Sequence, residues 1–273
     1  MASAFVITLR EGLEAALIVG MLLSYLSRAG RGDRAASVWL GTGLAVLVAV
    51  GGGAAIFATV GGLEGAAEQL FEGAALLLAV GVLSYMVHWM RGQARDLRGS
   101  LQRQAAVALE ASRWSLAAVA FLVVVREGLE TALFLFGAAE TSSPGATLAG
   151  GLLGLAAAIG LGYGIYRGGL RLDLRAFFSV TSLLLVFFAA GMLAHGVHEF
   201  VEAGLLPGLV DPLWDANSVL PESSTLGQFL KSLFGYSGSP TLLEVLAYTA
   251  YLAVMLRSYL PGWAQRAAIG RAA

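Results

Sequence analysis

Seven long apolar runs, separated by short polar or basic segments, divide the chain: Phe5–Leu26, Val38–Val60, Leu70–Met90, Leu116–Gly137, Thr147–Tyr166, Phe177–Val201 and Leu242–Leu260. A helix needs about 20 mostly apolar residues to cross the hydrocarbon core of a bilayer. The pattern therefore predicts an all-α integral membrane protein with seven transmembrane helices, and membrane lipids as its first partners. The first run does not read as a cleaved signal peptide, because no basic segment precedes it and Arg10, Glu11 and Glu14 interrupt it. The long non-helical stretch is Glu202–Pro240, which holds four of the six prolines. It reads as an extramembrane loop with a short amphipathic piece around Leu226–Phe234.

Composition narrows the classes. Hydrophobic residues make up 58% of the chain and charged residues 13%, against roughly 45–50% and 25% in soluble domains, which excludes an ordinary water-soluble enzyme. The 36 glycines suit membrane helices whose backbones approach closely. A net charge of −1 gives no basic field for a nucleic-acid partner. The absence of cysteine excludes disulfides, thiolate metal sites and cysteine nucleophiles.

The charge distribution sets a direction. Arg28, Arg31 and Arg34 follow the first run. Arg91, Arg95, Arg98, Arg103 and Arg113 lie between the third and fourth, Arg167, Arg171 and Arg175 after the fifth, and Arg257, Arg266 and Arg271 at the C-terminal end. The alternate loops hold only Lys231. The positive-inside rule then places the N-terminus outside and the C-terminus in the cytoplasm. Glu64, Glu68, Glu140, Glu202, Asp211, Asp215 and Glu222 fall on the outer side, where they form either a solvated loop surface or a negative funnel that concentrates cations. Glu64, Glu68 and Glu72 share one helical stripe by spacing.

Within the first and fourth runs the chain repeats itself. Phe5-Val-Ile-Thr-Leu-Arg-Glu-Gly-Leu-Glu-Ala-Ala-Leu returns 116 residues later as Phe121-Leu-Val-Val-Val-Arg-Glu-Gly-Leu-Glu-Thr-Ala-Leu. The following runs match in being charge-free and Gly-rich. The third members are both Leu-rich, around Leu76–Leu78 and Leu183–Leu185. The expected organisation is a single transmembrane domain over 1–273: repeat 1 about 1–92, repeat 2 about 114–203, the loop 202–240 and a last helix 241–261. Three helices are an odd number, so the second unit is expected inverted, with a substrate site near the midplane between repeats.

The repeated motif puts Arg10, Glu11, Glu14, Arg126, Glu127 and Glu130 inside apolar runs. An Arg or Asp at a helix centre costs about 2.5–3.5 kcal/mol on the insertion scale. Self-neutralising Arg–Glu pairs are the plainer account, but at one acid per guanidinium they leave a second acid on each helix without a partner. The fuller reading has Arg10 and Arg126 orienting carboxylates whose surplus charge, four Glu less two Arg, awaits a cation. Carboxylate oxygens suit a hard metal ion. Residue chemistry thus reaches a cation permease and leaves the ion open. The count of −2 favours a divalent ion, because a trivalent one would leave +1 in a low-dielectric site.

The paired Arg-Glu-Gly-Leu-Glu motifs resemble those of the high-affinity iron permease family, which includes fungal oxidase-dependent and bacterial EfeU-type permeases. The resemblance covers the whole chain. It extends to Phe71-Glu72-Gly73, Trp89-Met90, Asp211-Pro-Leu-Trp-Asp215 and Leu233-Phe-Gly-Tyr-Ser-Gly-Ser-Pro240. It implies a transporter rather than an enzyme, importing iron across the plasma (bacterial inner) membrane with no cofactor. The iron ligands would be Glu11, Glu14, Glu127 and Glu130, with Arg10 and Arg126 as charge partners. It also implies extracytoplasmic partner proteins, either iron-binding or of ferroxidase or peroxidase type. Iron as the substrate comes from the resemblance and not from spacing. The alternatives are a permease for Mn or Pb and a membrane di-metal carboxylate oxidase; the latter is expected to carry Glu-x-x-His pairs, which the sequence lacks.

Further candidates for the pathway or an outer capture site are Glu68, Glu72, His195, His198, Glu199 and Glu202. His195–Glu199 and His198–Glu202 are i, i+4 pairs, able to chelate on one face or simply to end a helix among headgroups. Glu244 is expected at the outer headgroup level, His88 at the inner interface. Tyr248, Tyr251, Tyr259 and Trp263 are expected as packing or interfacial aromatics.

Overall fold

The computed structural model describes all residues except 61–64, 94–112, 141, 169–171 and 270–273, and omits the side chains of 59, 60, 89–93, 113 and 259–269. Glu64, Arg95, Arg98, Arg103, Arg171 and Arg271 therefore lie outside the described residues, as do the side chains of Trp89, Met90, Arg91, Arg113, Tyr259, Trp263 and Arg266. Among those described, every regular element is helical: α1 (Ala2–Arg28), a 3-10 turn (Gly32–Arg34), α2 (Ala35–Val60), α3 (Ala66–Gln93), α4 (Arg113–Glu140), α5 (Pro144–Tyr166), α6 (Leu174–Glu202), α7 (Thr225–Phe234) and α8 (Leu242–Ile269). All seven apolar runs fall inside helices, and α7 matches the expected amphipathic piece. The last helix continues to Ile269, beyond its expected end.

Local chemistry sets several ends. Gly30 leaves α1 in the left-handed region, where a residue with no Cβ is unstrained. Pro144 opens α5 behind Ser143, whose side chain accepts from the Ala146 N–H, combining a proline at the first turn with a hydroxyl cap.

Among the described residues, four helical stretches are long and apolar enough to cross a membrane: Gly32–Ala58, Ala66–His88, Pro144–Tyr166 and Leu174–Glu202. α1 and α4 match them in length but carry three charged residues each within the repeated motif. On α2 and α5, Leu44, Leu47, Val50, Leu148, Leu152 and Ile159 are exposed. A helix apolar all round requires apolar surroundings.

The chain divides into two compact units. In unit 1 (Met1–Leu63 with His88–Ser182), the main packings are α1 on α5 and α2 on α4, and α1 also crosses α4. Both main packings rest on small residues. A Cβ on Gly12 would meet the Ala158 methyl at 2.9 Å, and Gly150 and Gly162 close on Met1 and Ala16. In the other pair Gly128 closes on Ala49, Gly41 on Ala117 and Gly53 on Ala132. Adding 116 to Met1, Gly12 and Ala16 gives Ala117, Gly128 and Ala132; adding 109 to Gly41, Ala49 and Gly53 gives Gly150, Ala158 and Gly162. The two packings therefore repeat each other position by position. A core of Ile18, Val19, Leu22 and Leu26 from the end of α1 meets Val38 and Ala45 of α2 and Leu116, Ala120 and Val124 from the start of α4. Hence α1 and α4 run in opposite directions where they cross.

Unit 2 (Glu64–Val87 with Leu183–Ala273) joins most of α3 and α6 with α7 and α8. Gly73 and Gly196 bring α3 and α6 together beside Phe200. Ser84 Oγ and Tyr251 Oη, 2.8 Å apart, link α3 to α8.

Candidate metal centre

The Arg-Glu-Gly-Leu-Glu motifs meet in unit 1, where α1 crosses α4. Gly12 and Gly128 occupy the middle of each motif and let α5 and α2 close on their backs, which turns the charged side chains toward the α1–α4 crossing. Arg10 and Glu11 are fully buried, and Glu127 is 4% exposed. Carboxylate oxygens of Glu11, Glu14 and Glu127 lie within 4.8 Å of one another, the one such convergence of three His or carboxylate ligands among the described residues. Glu130 faces the same group and feels the charge of Glu14.

Each guanidinium holds both acids of its own motif. Arg10 Nη1 lies 2.6 Å from Glu11 Oε1 and Nη2 lies 3.3 Å from Glu14 Oε1. Arg126 Nε lies 2.9 Å from Glu130 Oε1 and 3.7 Å from Glu127 Oε1. This corrects the expectation that one acid per helix lacks a partner. Adjacent residues diverge on a helix, but Arg is long and its fork of donors spans two carboxylates. Charge still does not balance, since four acids meet two cations. Glu11 Oε2, Glu127 Oε2 and Glu130 Oε2 are buried and accept no hydrogen bond within the described residues. Partnerless buried carboxylate oxygens are costly, and converging ones form a hard-oxygen donor set. The arrangement offers hard oxygen donors suited to a cation.

The other candidates lie in unit 2. His195 Nε2 is 3.6 Å from Glu199 Oε1, and His198 Nε2 is 3.2 Å from Glu202 Oε1, so both expected pairs form. Gln69 Nε2 donates to Glu202 Oε2 at 3.0 Å, and Glu199 feels the charges of Glu72 and Glu68 on α3. The structure brings these groups together in pairs and not as three converging ligands. Glu244 departs from expectation: it is 8% exposed and sits 2.9 Å from His198 Nδ1, also accepting from the Thr241 hydroxyl. It is a buried tie between α6 and α8 rather than a headgroup residue. Its place just inside the last apolar run, like Glu72 in the third, was the available signal. Tyr248 donates to the Phe234 carbonyl oxygen, in keeping with a packing role, and His88 is exposed.

Comparison with known proteins agrees on one family. The Iron permease FTR1 family matches residues 1–263. The ferrous iron permease EfeU of Yersinia pestis is 41% identical over 251 residues, covering 91% of this chain and 89% of that protein. EfeU of Escherichia coli O6:H1 is 39% identical over 259 residues, 94% of each chain. An uncharacterized protein of Archaeoglobus fulgidus is 42% identical over 268 residues, 93% of this chain and 94% of its own. No solved structure matches.

Proposed function

The chain belongs to the Iron permease FTR1 family and is a multi-pass membrane transporter rather than an enzyme, and on that premise we propose that it imports iron, as Fe2+, through the carboxylates of its two repeated motifs. Glu11, Glu14, Glu127 and Glu130 are the ligands, and Arg10 and Arg126 hold them in place. One observation carries the reading: buried carboxylates from α1 and α4 converge within 4.8 Å, and four acids set against two arginines sum formally to −2 when all are ionised. Fe2+ neutralises that charge, and a neutral cluster is the cheaper one in a low dielectric. The names of the EfeU relatives support the ferrous form.

The spans are α1 to α6 and α8, arranged as an inverted three-helix repeat with the eighth helix added. The position-by-position match of the α1–α5 and α2–α4 packings, and the opposed directions of α1 and α4, support it. The whole chain acts as one permease domain in the plasma membrane, inner in a bacterial cell, with the N-terminus outside. Glu68, Glu72, His195, His198, Glu199 and Glu202 at the outer ends of α3 and α6 are capture groups for iron, which an extracytoplasmic partner would deliver.

Uptake into proteoliposomes tests the ion. Iron held as Fe2+ by ascorbate enters, whereas chelated Fe3+, Mn2+ and Pb2+ enter at least tenfold more slowly. Uptake of the ferric form alone would refute the charge argument. Single cysteines test sidedness: Ser142→Cys labels with an impermeant thiol reagent from outside intact cells, and Ser100→Cys only after lysis.

A further inference from the structure

The segment between α6 and α8 looks like a solvated loop by composition, yet its contacts in unit 2 run deep. His198 on α6 and Glu244 on α8 meet at 2.9 Å and so mark one level shared by both helices. Gly191 precedes His198 by seven residues and Tyr248 follows Glu244 by four, about 10 and 6 Å further along their axes at about 1.5 Å per residue. At that lower level the C-terminal end of α7 is found. Gly235 packs so tightly on Gly191 that a Cβ on either would overlap the other's backbone. The Phe234 ring meets Phe187 edge-on at 5.4 Å between centroids, and the Tyr248 hydroxyl donates to the Phe234 carbonyl oxygen at 2.8 Å. Around these contacts α6 is uninterruptedly apolar from Leu183 to Ala194, and α8 from Val245 to Ala247.

We infer that α7 is re-entrant: it descends from the outer face beside α6 and α8 into the acyl region, turns at Gly235 and returns to Pro240, with its outward face on lipid. It rests on α6 and α8 being membrane spans. Non-helical backbone at that depth must find its partners in protein, and several of its groups do. Gly235 N–H and Tyr236 N–H donate to Lys231 and Leu230 carbonyl oxygens, closing the helix. Gly238 N–H donates to Glu222 Oε1 at 2.7 Å, its carbonyl accepts from Ala216 N–H, and Pro240 accepts from Leu213 N–H. The Lys231 ammonium is paired with Glu222 Oε2 at 2.7 Å, so the descent carries no unpaired charge. Leu226 and Phe229 are exposed on the outward face, while Gly227, Ser232 and Leu233 are buried on the other. Leu246 and Val254 on α8 are exposed apolar residues as well. Acyl chains cover such a surface; an aqueous loop would leave it wet.

Because the chain has no cysteine, single spin labels in lipid nanodiscs can measure depth. Labels at Leu226→Cys and Phe229→Cys are expected to collide several-fold more with oxygen than with a water-soluble nickel chelate. A label at Val219→Cys, 88% exposed in the connecting segment, reverses that ratio. Val254→Cys on α8 serves as the lipid reference. If positions 226 and 229 read as aqueous as position 219 while position 254 reads as lipid, re-entrance is wrong and the transport reading stands. If position 254 also reads aqueous, the membrane frame of α8 fails and the proposal falls with it.

Discussion

The two Arg-Glu-Gly-Leu-Glu copies are identical in sequence and different in surroundings. Arg10 is wholly enclosed and reaches both acids of its motif with its terminal nitrogens, at 2.6 and 3.3 Å. Arg126 is 43% exposed in its side chain and uses Nε, at 2.9 Å to Glu130 and 3.7 Å to Glu127. α1 and α4 each pack against two helices, but Leu122 and Leu129 beside Arg126 on α4 are themselves exposed. The carboxylates are less unequal, since Glu11 and Glu127 are both buried. The comparison separates two jobs that the motif combines. Its acids converge as a set, while its arginines differ in how much of the structure depends on them.

The largest effect is expected from the shared job. Glu14→Gln and Glu130→Gln keep volume and remove a hard anionic ligand, so each is expected to lower iron uptake more than tenfold at equal membrane abundance. Wild-type uptake by both would break the idea that the two copies act as one site. Next comes the unequal job. Arg10→Ala leaves buried acids without their nearest counter-charge and is expected to cost about 3–5 kcal/mol, the range for breaking a buried pair. Arg126→Ala, being half exposed, is expected to cost about 1 kcal/mol or less. Thermal unfolding in detergent measures the gap, and equal losses would mean that the difference in enclosure carries no energetic weight.

A smaller effect sharpens the symmetry behind both copies. Gly12→Val and Gly128→Val each push a side chain into the facing helix, at Ala158 and Ala49 respectively. Overpacking of this kind costs about 1–3 kcal/mol, and the two losses are expected to agree within experimental error. A large loss at Gly12 alone would show that the α2–α4 packing tolerates what α1–α5 does not. The smallest effect concerns Glu244. Glu244→Gln keeps the hydrogen bond to His198 while losing the charge, so uptake is expected to fall by less than threefold, well below the loss at Glu14.

The apolar runs alone determined where the helices lie, because a span needs an unbroken apolar length and nothing nearby competes with it. The repeated motif likewise announced itself, since charges inside such runs are costly enough to be retained only for a purpose. Spacing alone put Glu11, Glu14 and Arg10 on a common broad face of one helix. It could not bring Glu127 to them, because that convergence depends on the α1–α4 crossing, which Gly12 and Gly128 permit by letting other helices close from behind. Nor could it divide the two arginines into an enclosed and an exposed one, since identical neighbours in sequence become different neighbours in space. Glu244 went astray for the same reason. An acid near a helix start reads as surface, and only the contact with His198, distant in sequence, draws it inward.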